Sequence, residues 1–289
     1  MKSFIRHTVF PILAALIWGT AFSAQSVCSE YVPPFAINAF RGLLSGAVLS
    51  AACLILHFKI ENRKKTIRAA LLCGTALFLA TNAQQFGIGE TSAGKAGFIT
   101  ALYIVLVPLF QAILFKKKNP LRIWFAVAVA VAGLFFLCID GEFSVGIADA
   151  ALLFCAVMFS AQILAVDSFS ESVHPVWLSA GQFLVNGLLS LICSLLFESV
   201  GPADFAPCFT QLLYVALFSS CIAYTLQIIA QKGGNATVVT LLLSLESVFA
   251  LLGGMVLLGE RPSGREFLGS ALMLCAIFTA QLPSRKAAK

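Results

Sequence analysis

What most constrains this chain is a succession of apolar runs, each about 20 residues long, with connections too short to hold a separate domain. Ten can be placed, near residues 8–28, 36–56, 67–89, 94–115, 121–139, 147–166, 176–197, 210–230, 236–258 and 265–282. In hydrocarbon a backbone has to satisfy its own N–H and C=O groups, so only helices and closed barrels can span. Barrel strands would be about half this length and would alternate apolar with polar residues. These runs are apolar throughout, and they predict helices. Composition agrees: 60% of the 289 residues are hydrophobic and 11% are charged, against about 25% charged in a soluble domain. The expected fold class is an all-α polytopic membrane protein with ten transmembrane helices, in a single transmembrane domain over 1–289. Lys2 and Arg6 precede the first run as in a signal peptide. The run is longer than a signal core and lacks a small-x-small cleavage site, so a retained helix is expected.

The basic residues set the expected orientation. With the N-terminus cytoplasmic, the inner connections carry 15 of the 19 Lys and Arg, including Lys59, Arg63, Lys64, Lys65 and Arg68, then Lys116, Lys117, Lys118 and Arg122. The outer side carries only Lys95, Arg261 and Arg265, with Arg41 just inside the second span. Both termini are therefore expected in the cytoplasm of a multi-pass cell (inner or plasma) membrane protein. The net charge of +6 needs no nucleic-acid partner, because it is the positive-inside pattern. Attraction of these loops to the anionic head groups of the lipid bilayer follows from the same charges. The nine cysteines are scattered, without metal-type or CxxC spacing, and read as small apolar filler. No phosphate-binding loop, HExxH or serine nucleophile constellation occurs, so neither an enzyme, a cofactor nor a metal site is expected.

One tetrapeptide occurs twice inside this apolar background: Phe22-Ser23-Ala24-Gln25 and Phe159-Ser160-Ala161-Gln162. Five helices return the chain to the opposite side, so a second set of five has inverted topology. The two copies then lie at equal depths measured from opposite faces. Further echoes keep the same order: Pro34 and Pro175, Arg41 and Gln182, Gln85 and Gln227, Pro120 and Pro262. They point to two inverted five-helix repeats, about 1–143 and 144–289, an architecture of transporters with a midplane site between the repeats. A glutamine amide in hydrocarbon needs a partner, and such groups face the bundle or an aqueous cavity. Gln25 with Gln85 is expected to line the outer half of a pathway, and Gln162 with Gln227 the inner half. The alternative is interhelical glue, each amide closing onto a carbonyl.

Charges inside the spans are the next candidates. Glu246 lies near the middle of the ninth span, where an acidic residue facing lipid costs about 2.5–3.5 kcal/mol. Ser247, Ala250, Gly253 and Gly254 around it allow close helix approach. It reads as a substrate contact or a titrating gate, against a helix–helix hydrogen bond as the alternative. Arg41, followed by Gly42 and Gly46, either reaches the pathway or snorkels to the outer head groups. Lys95 either sits at the outer mouth beside Glu90 or is simply solvated, and solvation is the expectation. Asn186 and Asn82 are cavity candidates or structural bonds. Trp18 sits mid-span, away from any interfacial belt, as packing or as a platform beside the cavity.

The stretches ALIWGTAF and FAINAFRG, TSAGKAGFITALYIVLVPLF in the fourth span and LSLESVFALLGGMVLLGERP in the ninth resemble the drug/metabolite transporter superfamily, EamA family, over essentially the whole chain. The resemblance implies two five-helix repeats, cytoplasmic termini and a central cavity opening alternately to either face. It assigns family positions to Trp18 and Gly19, Arg41, Pro108, Glu246, and an exit turn at Gly259, Glu260 and Pro262. Where the family often has Glu-Pro in the ninth helix, this chain has Glu246-Ser247, so the kink is expected to be absent or shifted. The implied function is a secondary transporter moving a small polar metabolite, an amino acid or related compound, by efflux. Glu246 is compatible with proton coupling and equally with facilitated diffusion. The rival readings are a non-transporting membrane scaffold or sensor with a sealed interior, and a channel, which sparse polar residues disfavour.

Overall fold

The computed structural model describes residues 2–91, 93–117, 119–138, 146–253 and 263–282. It is helical nearly throughout, with α1 (Ile5–Ser29), α2 (Pro34–Ile55), α3 (Arg63–Glu90), α4 (Lys95–Leu114), α5 (Leu121–Leu137), α6 (Ile147–Phe169), α7 (Pro175–Phe197), α8 (Phe209–Gln231), α9 (Ala236–Leu252) and α10 (Gly264–Gln281). Among the described residues, seven of these are long and apolar enough to cross a membrane, and α5 and α9 are shorter apolar helices. Gly254 and the exit turn Gly259, Glu260 and Pro262 lie outside the described residues.

Local chemistry explains the helix starts. α2 and α7 open on Pro34 and Pro175, where the missing N–H costs nothing and φ is already helical. At the start of α2 the free N–H groups of Phe35 and Ala36 donate to the Glu198 carboxylate, at 2.9 and 2.8 Å. This carboxylate from the end of α7 complements the dipole of α2. α3 begins at Arg63, four residues before the apolar run, because the Asn62 side chain accepts from Lys65 N at 2.9 Å and caps the first turn.

Three helices depart from α geometry beside the bundle centre, and α1 in addition opens with a π-helical turn at Ile5–Val9. α8 is π-helical over Val215–Ala223. α4 is broken at Leu102, and α9 at Ser244–Leu245, immediately before Tyr103 and Glu246. The break in α9 thus falls just ahead of Glu246 without any proline. Thr240 and Ser244 instead turn their hydroxyls onto carbonyls three residues back, Thr237 O and Leu241 O, both at 2.8 Å. Such bonds compete with the helical ladder and bend it.

Glycine sets the closest helix contacts. α2 and α7 run antiparallel, and a Cβ added at Gly42 would lie 2.6 Å from Gly187 Cα. α5 and α10 also run antiparallel, and a Cβ on Gly133 or on Gly269 would meet the other's carbonyl oxygen at 2.9 or 2.7 Å. Without a hydrophobic force between helices in lipid, such close backbone packing is what holds them. Replacing Gly187 by valine is therefore expected to lower stability by about 1–3 kcal/mol or more, because backbone, not a flexible side chain, must yield. The check is a thermal melt of purified protein in detergent; an unchanged midpoint for Gly187→Val would remove the crossing as a stabilising contact.

Candidate functional site

At the bundle centre lies a cavity of about 40 Å³, space for about three waters. Both copies of the repeated tetrapeptide face it: Phe22 and Gln25 on α1, Phe159 and Gln162 on α6. Arg41 on α2 and Glu246 on α9 are further parts of the wall, as are Trp18, Tyr103 and Tyr224.

Arg41 is only 2% exposed and does not reach the head groups. Its Nη1 donates to Gln25 Oε1 and its Nε to Ser220 Oγ, each at 3.0 Å, with a longer Nη2 contact to Ser219 Oγ at 3.5 Å. These acceptors come from α1 and from the π-helical part of α8. All are neutral, so the positive charge is hydrogen-bonded but not cancelled. The π turn also leaves carbonyls for side chains to satisfy: Trp18 Nε1 donates to Ser219 O at 3.2 Å, and Ser45 Oγ to Ala216 O at 2.9 Å. Trp18 in turn packs edge-on to Tyr224, with ring centroids 4.8 Å apart, and Tyr224 meets Phe183 at 5.1 Å.

The same arrangement recurs in the second half. Gln162 Nε2 donates to Gln182 Oε1 at 3.0 Å, and Gln162 and Gln182 are the sequence counterparts of Gln25 and Arg41. Gln85 Nε2 donates to Gln25 O at 3.1 Å, and Gln227 Nε2 to Gln162 Oε1 at 3.4 Å. Both expected glutamine pairs are thus in contact. They differ in exposure to the cavity: Gln227 is in the wall and its buried Oε1 has no hydrogen-bond partner among the described residues, whereas Gln85 lies behind Gln25 and ties it to Ser29 Oγ at 2.7 Å.

Glu246 is 5% exposed and is the first residue of the second segment of α9, where a negative charge suits the helix dipole. Tyr103 Oη donates to its Oε1 at 3.4 Å. Among the described residues, neither Glu246 nor Arg41 belongs to an ion pair within 4 Å; those found are Lys95 with Asp149 at 2.8 Å and Lys117 with Asp167 at 3.2 Å. Lys95 is therefore not simply solvated, because Asp149 at the start of α6 takes its charge. Asn186 is set apart from the cavity. It is fully buried between α3 and α7, where Thr81 Oγ1 and Ser190 Oγ donate to its Oδ1 at 3.5 and 3.2 Å. Asn82 joins the same seam through Ser190 Oγ at 3.0 Å.

The cavity also takes residues the sequence did not single out: Tyr103, Tyr224, Gln84, Thr100 and Ser219. A usable signal existed for the tyrosines. The chain has only four Tyr, and these two fall deep within spans instead of at the interfacial belts where tyrosine collects. Gln84 was hidden by its neighbour Gln85, although one residue turns a helical side chain by about 100°.

Known proteins place this architecture. The EamA-like transporter family matches residues 8–139 and again 146–280. An uncharacterized transporter of Archaeoglobus fulgidus is 29% identical over 274 residues, 93% of this chain and 84% of that protein. The uncharacterized inner membrane transporter YedA of Escherichia coli is 27% identical over 285 residues, 95% of this chain and 92% of its own length. A protein of known crystal structure shares the fold with a TM-score of 0.82 at 23% identity, over 98% of this chain and 99% of that one. The chain belongs to the EamA-like transporter family and is a multi-pass membrane transporter.

Proposed function

We propose that the protein is a secondary transporter that moves a small zwitterionic metabolite, an amino acid or related compound, out of the cell by alternating access at the central cavity. The observation that carries this is the placement of Arg41 and Glu246 in one cavity wall with no ion pair between them. A buried guanidinium held by neutral acceptors and a buried carboxyl held by one phenol are complementary to the two ends of a zwitterion. Gln227 Oε1 adds an unmet acceptor, and Trp18 with Tyr224 gives an aromatic side to the site. A scaffold would have no use for unpaired charge in its interior. At about 40 Å³ the cavity is far below the roughly 300 Å³ of a ligand pocket, so a solute enters only when helices part.

The transport cycle follows from two inverted repeats, about 1–143 and 144–289. The double family match, at 8–139 and 146–280, supports that division. So do the helix directions, because counterparts run antiparallel. α2 meets α7 at Gly42 and Gly187, α5 meets α10 at Gly133 and Gly269, and α4 meets α9 through Tyr103 and Glu246 and through Gln111 and Thr237. The Arg41–Gln25 and Gln182–Gln162 pairs are related in the same way. Basic residues at 59–68 and 116–122 put those connections, and both termini, in the cytoplasm of a plasma-membrane protein. Glu246, with no cationic partner among the described residues, is the group through which a proton would be exchanged if transport is proton-coupled.

Uptake into proteoliposomes across an amino-acid panel tests the reading. Glu246→Gln keeps shape but removes the charge and is expected to cut transport of the best substrate about tenfold, the equivalent of about 1.4 kcal/mol; transport at the parent rate would take Glu246 out of the mechanism. Arg41→Met strands Gln25 and Ser220 and is expected to cost about 1.5–3 kcal/mol of stability, read as a lower melting midpoint, together with lost transport. For topology, cysteines introduced at 60–66 and at 119 should both react with an impermeant reagent from the cytoplasmic face; reaction from opposite faces would end the inverted-repeat reading.

A further inference from the structure

We propose that a second polar cavity, of about 310 Å³ and bordered by Gln111, Lys117, Asn119, Asp167 and Asn235, is a staging site for a small zwitterion on the way to the central cavity, and that the Thr237–Gln111 hydrogen bond is the latch between the two. The inference rests on the transport reading above and names a residue pair and a site which that reading leaves open.

Both cavities lie along the same three helices. α4 gives Tyr103 to the central cavity and Gln111 to the second; α6 gives Gln162 and then Asp167; α9 gives Glu246 and then Ala236. At 1.5 Å per residue these separations are about 8–15 Å along the helix axes, so one cavity stands over the other. Between them the packing is dry, with Ile104, Val107 and Val239 buried. Two polar bridges cross the seam. Thr237 Oγ1 donates to Gln111 Oε1 at 2.8 Å, joining α9 to α4, and Gln231 Nε2 donates to Ile163 O at 2.9 Å, joining α8 to α6.

The first bridge is built to open. It ties the segment Tyr103–Leu114 to the segment Ala236–Leu243, and each of these short rods ends, at the central cavity, in a break of its helix: Leu102 in one, Ser244–Leu245 in the other. Rods ending at such breaks can swing without bending an intact hydrogen-bond ladder. The chemistry of the outer pocket matches that of the inner one. Lys117 pairs with Asp167 at 3.2 Å, with Lys117 60% exposed; a pair so hydrated is weakly held, and a zwitterion satisfies both ends at once, ammonium on Asp167 and carboxylate on Lys117. Asn119 Nδ2 is buried with no hydrogen-bond partner among the described residues and adds a donor. Asn235 Oδ1 is already engaged, accepting from Thr237 N at 2.9 Å as the cap of α9, so the helix end itself plays no part.

The test uses the full chain with its native cysteines replaced, in inside-out vesicles, and an impermeant thiol reagent applied at the face bearing Lys117. Leu243→Cys reports the central cavity and Asn119→Cys the staging pocket. Thr237→Val removes the latch donor at nearly constant volume. Loss of one neutral hydrogen bond is worth about 1 kcal/mol, so Leu243→Cys should label about fivefold faster in the Thr237→Val background, while Asn119→Cys labels at the same rate in both. Alanine at millimolar concentration should slow labelling of Asn119→Cys, and ethylamine or propionate, each carrying one of its charges, should not. Equal Leu243→Cys rates with and without Thr237→Val overturn the latch, and equal slowing by all three solutes, or by none, overturns the zwitterion site. If the latch responds as expected but no amino acid is taken up into proteoliposomes, the failure lies with the transport reading and the staging role falls with it.

Discussion

A guanidinium buried inside a membrane bundle, in no ion pair among the described residues, is the constraint around which the rest of this molecule is arranged. Arg41 is fixed by an amide on α1 and by hydroxyls on α8, so three helices have to converge at one depth. Reaching it is compatible with α8 departing from α geometry: the π turn at Val215–Ala223 carries Ser219 and Ser220 inward, and its spare carbonyls then take Trp18 Nε1 and Ser45 Oγ. Leaving any of these groups unmatched in a buried site would cost about 1–3 kcal/mol each. Trp18, Ser45, Gln25 and the two serines are thus held as a set, and loosening one member exposes the others.

In the inverted-repeat arrangement proposed above, that set has an uncharged counterpart in the second half. Where the first half has Arg41 donating to Gln25, the second has Gln162 donating to Gln182, a pair of amides carrying no charge. The acidic group appears instead on α9, beyond a break that the sequence makes with hydroxyls in place of proline. In that arrangement the first half brings the buried arginine and the second the buried carboxyl, and both stand in the cavity wall.

The membrane makes some of this legible in the sequence and hides the rest. Polar residues in a span are costly enough to stand out, so Gln25, Gln162, Gln227, Arg41 and Glu246 announce themselves, and their pairing follows once the repeat is noticed. The same logic does not separate Asn186 and Gln85 from cavity residues, since a polar group that faces a neighbouring helix and one that faces a cavity obey the same rule. Aromatic residues carry no such penalty. Among 26 Phe only the repeated tetrapeptide marks out Phe22 and Phe159, and among four Tyr only depth within a span sets Tyr103 and Tyr224 apart from interfacial residues. The Lys95–Asp149 pair was invisible for another reason. Its partners lie 54 positions apart, at the starts of two helices that run parallel, and parallel packing of α4 with α6 is a property of the assembled bundle.

The contacts divide into those that resist motion and those that permit it. Glycine crossings put backbone on backbone, at Gly42 with Gly187 and Gly133 with Gly269, and a shift there meets hard repulsion within a few tenths of an ångström. The seams around the cavity are different in kind. They are closed by single hydrogen bonds, such as Gln231 to Ile163 O, and by one ion pair at each end of α4 and α6, Lys95 with Asp149 and Lys117 with Asp167. Each neutral bond contributes about 1 kcal/mol, and the more hydrated ion pair no more than that. Closed and open arrangements separated by a few such contacts differ by only a few kcal/mol, a gap that the differential binding of a solute can reverse. In the alternating-access cycle proposed above, α2–α7 and α5–α10 are the rigid elements and the broken helices α4 and α9, which carry Tyr103 and Glu246, are the ones that move. A polar solute seated between those two residues would act directly on the elements that have to move.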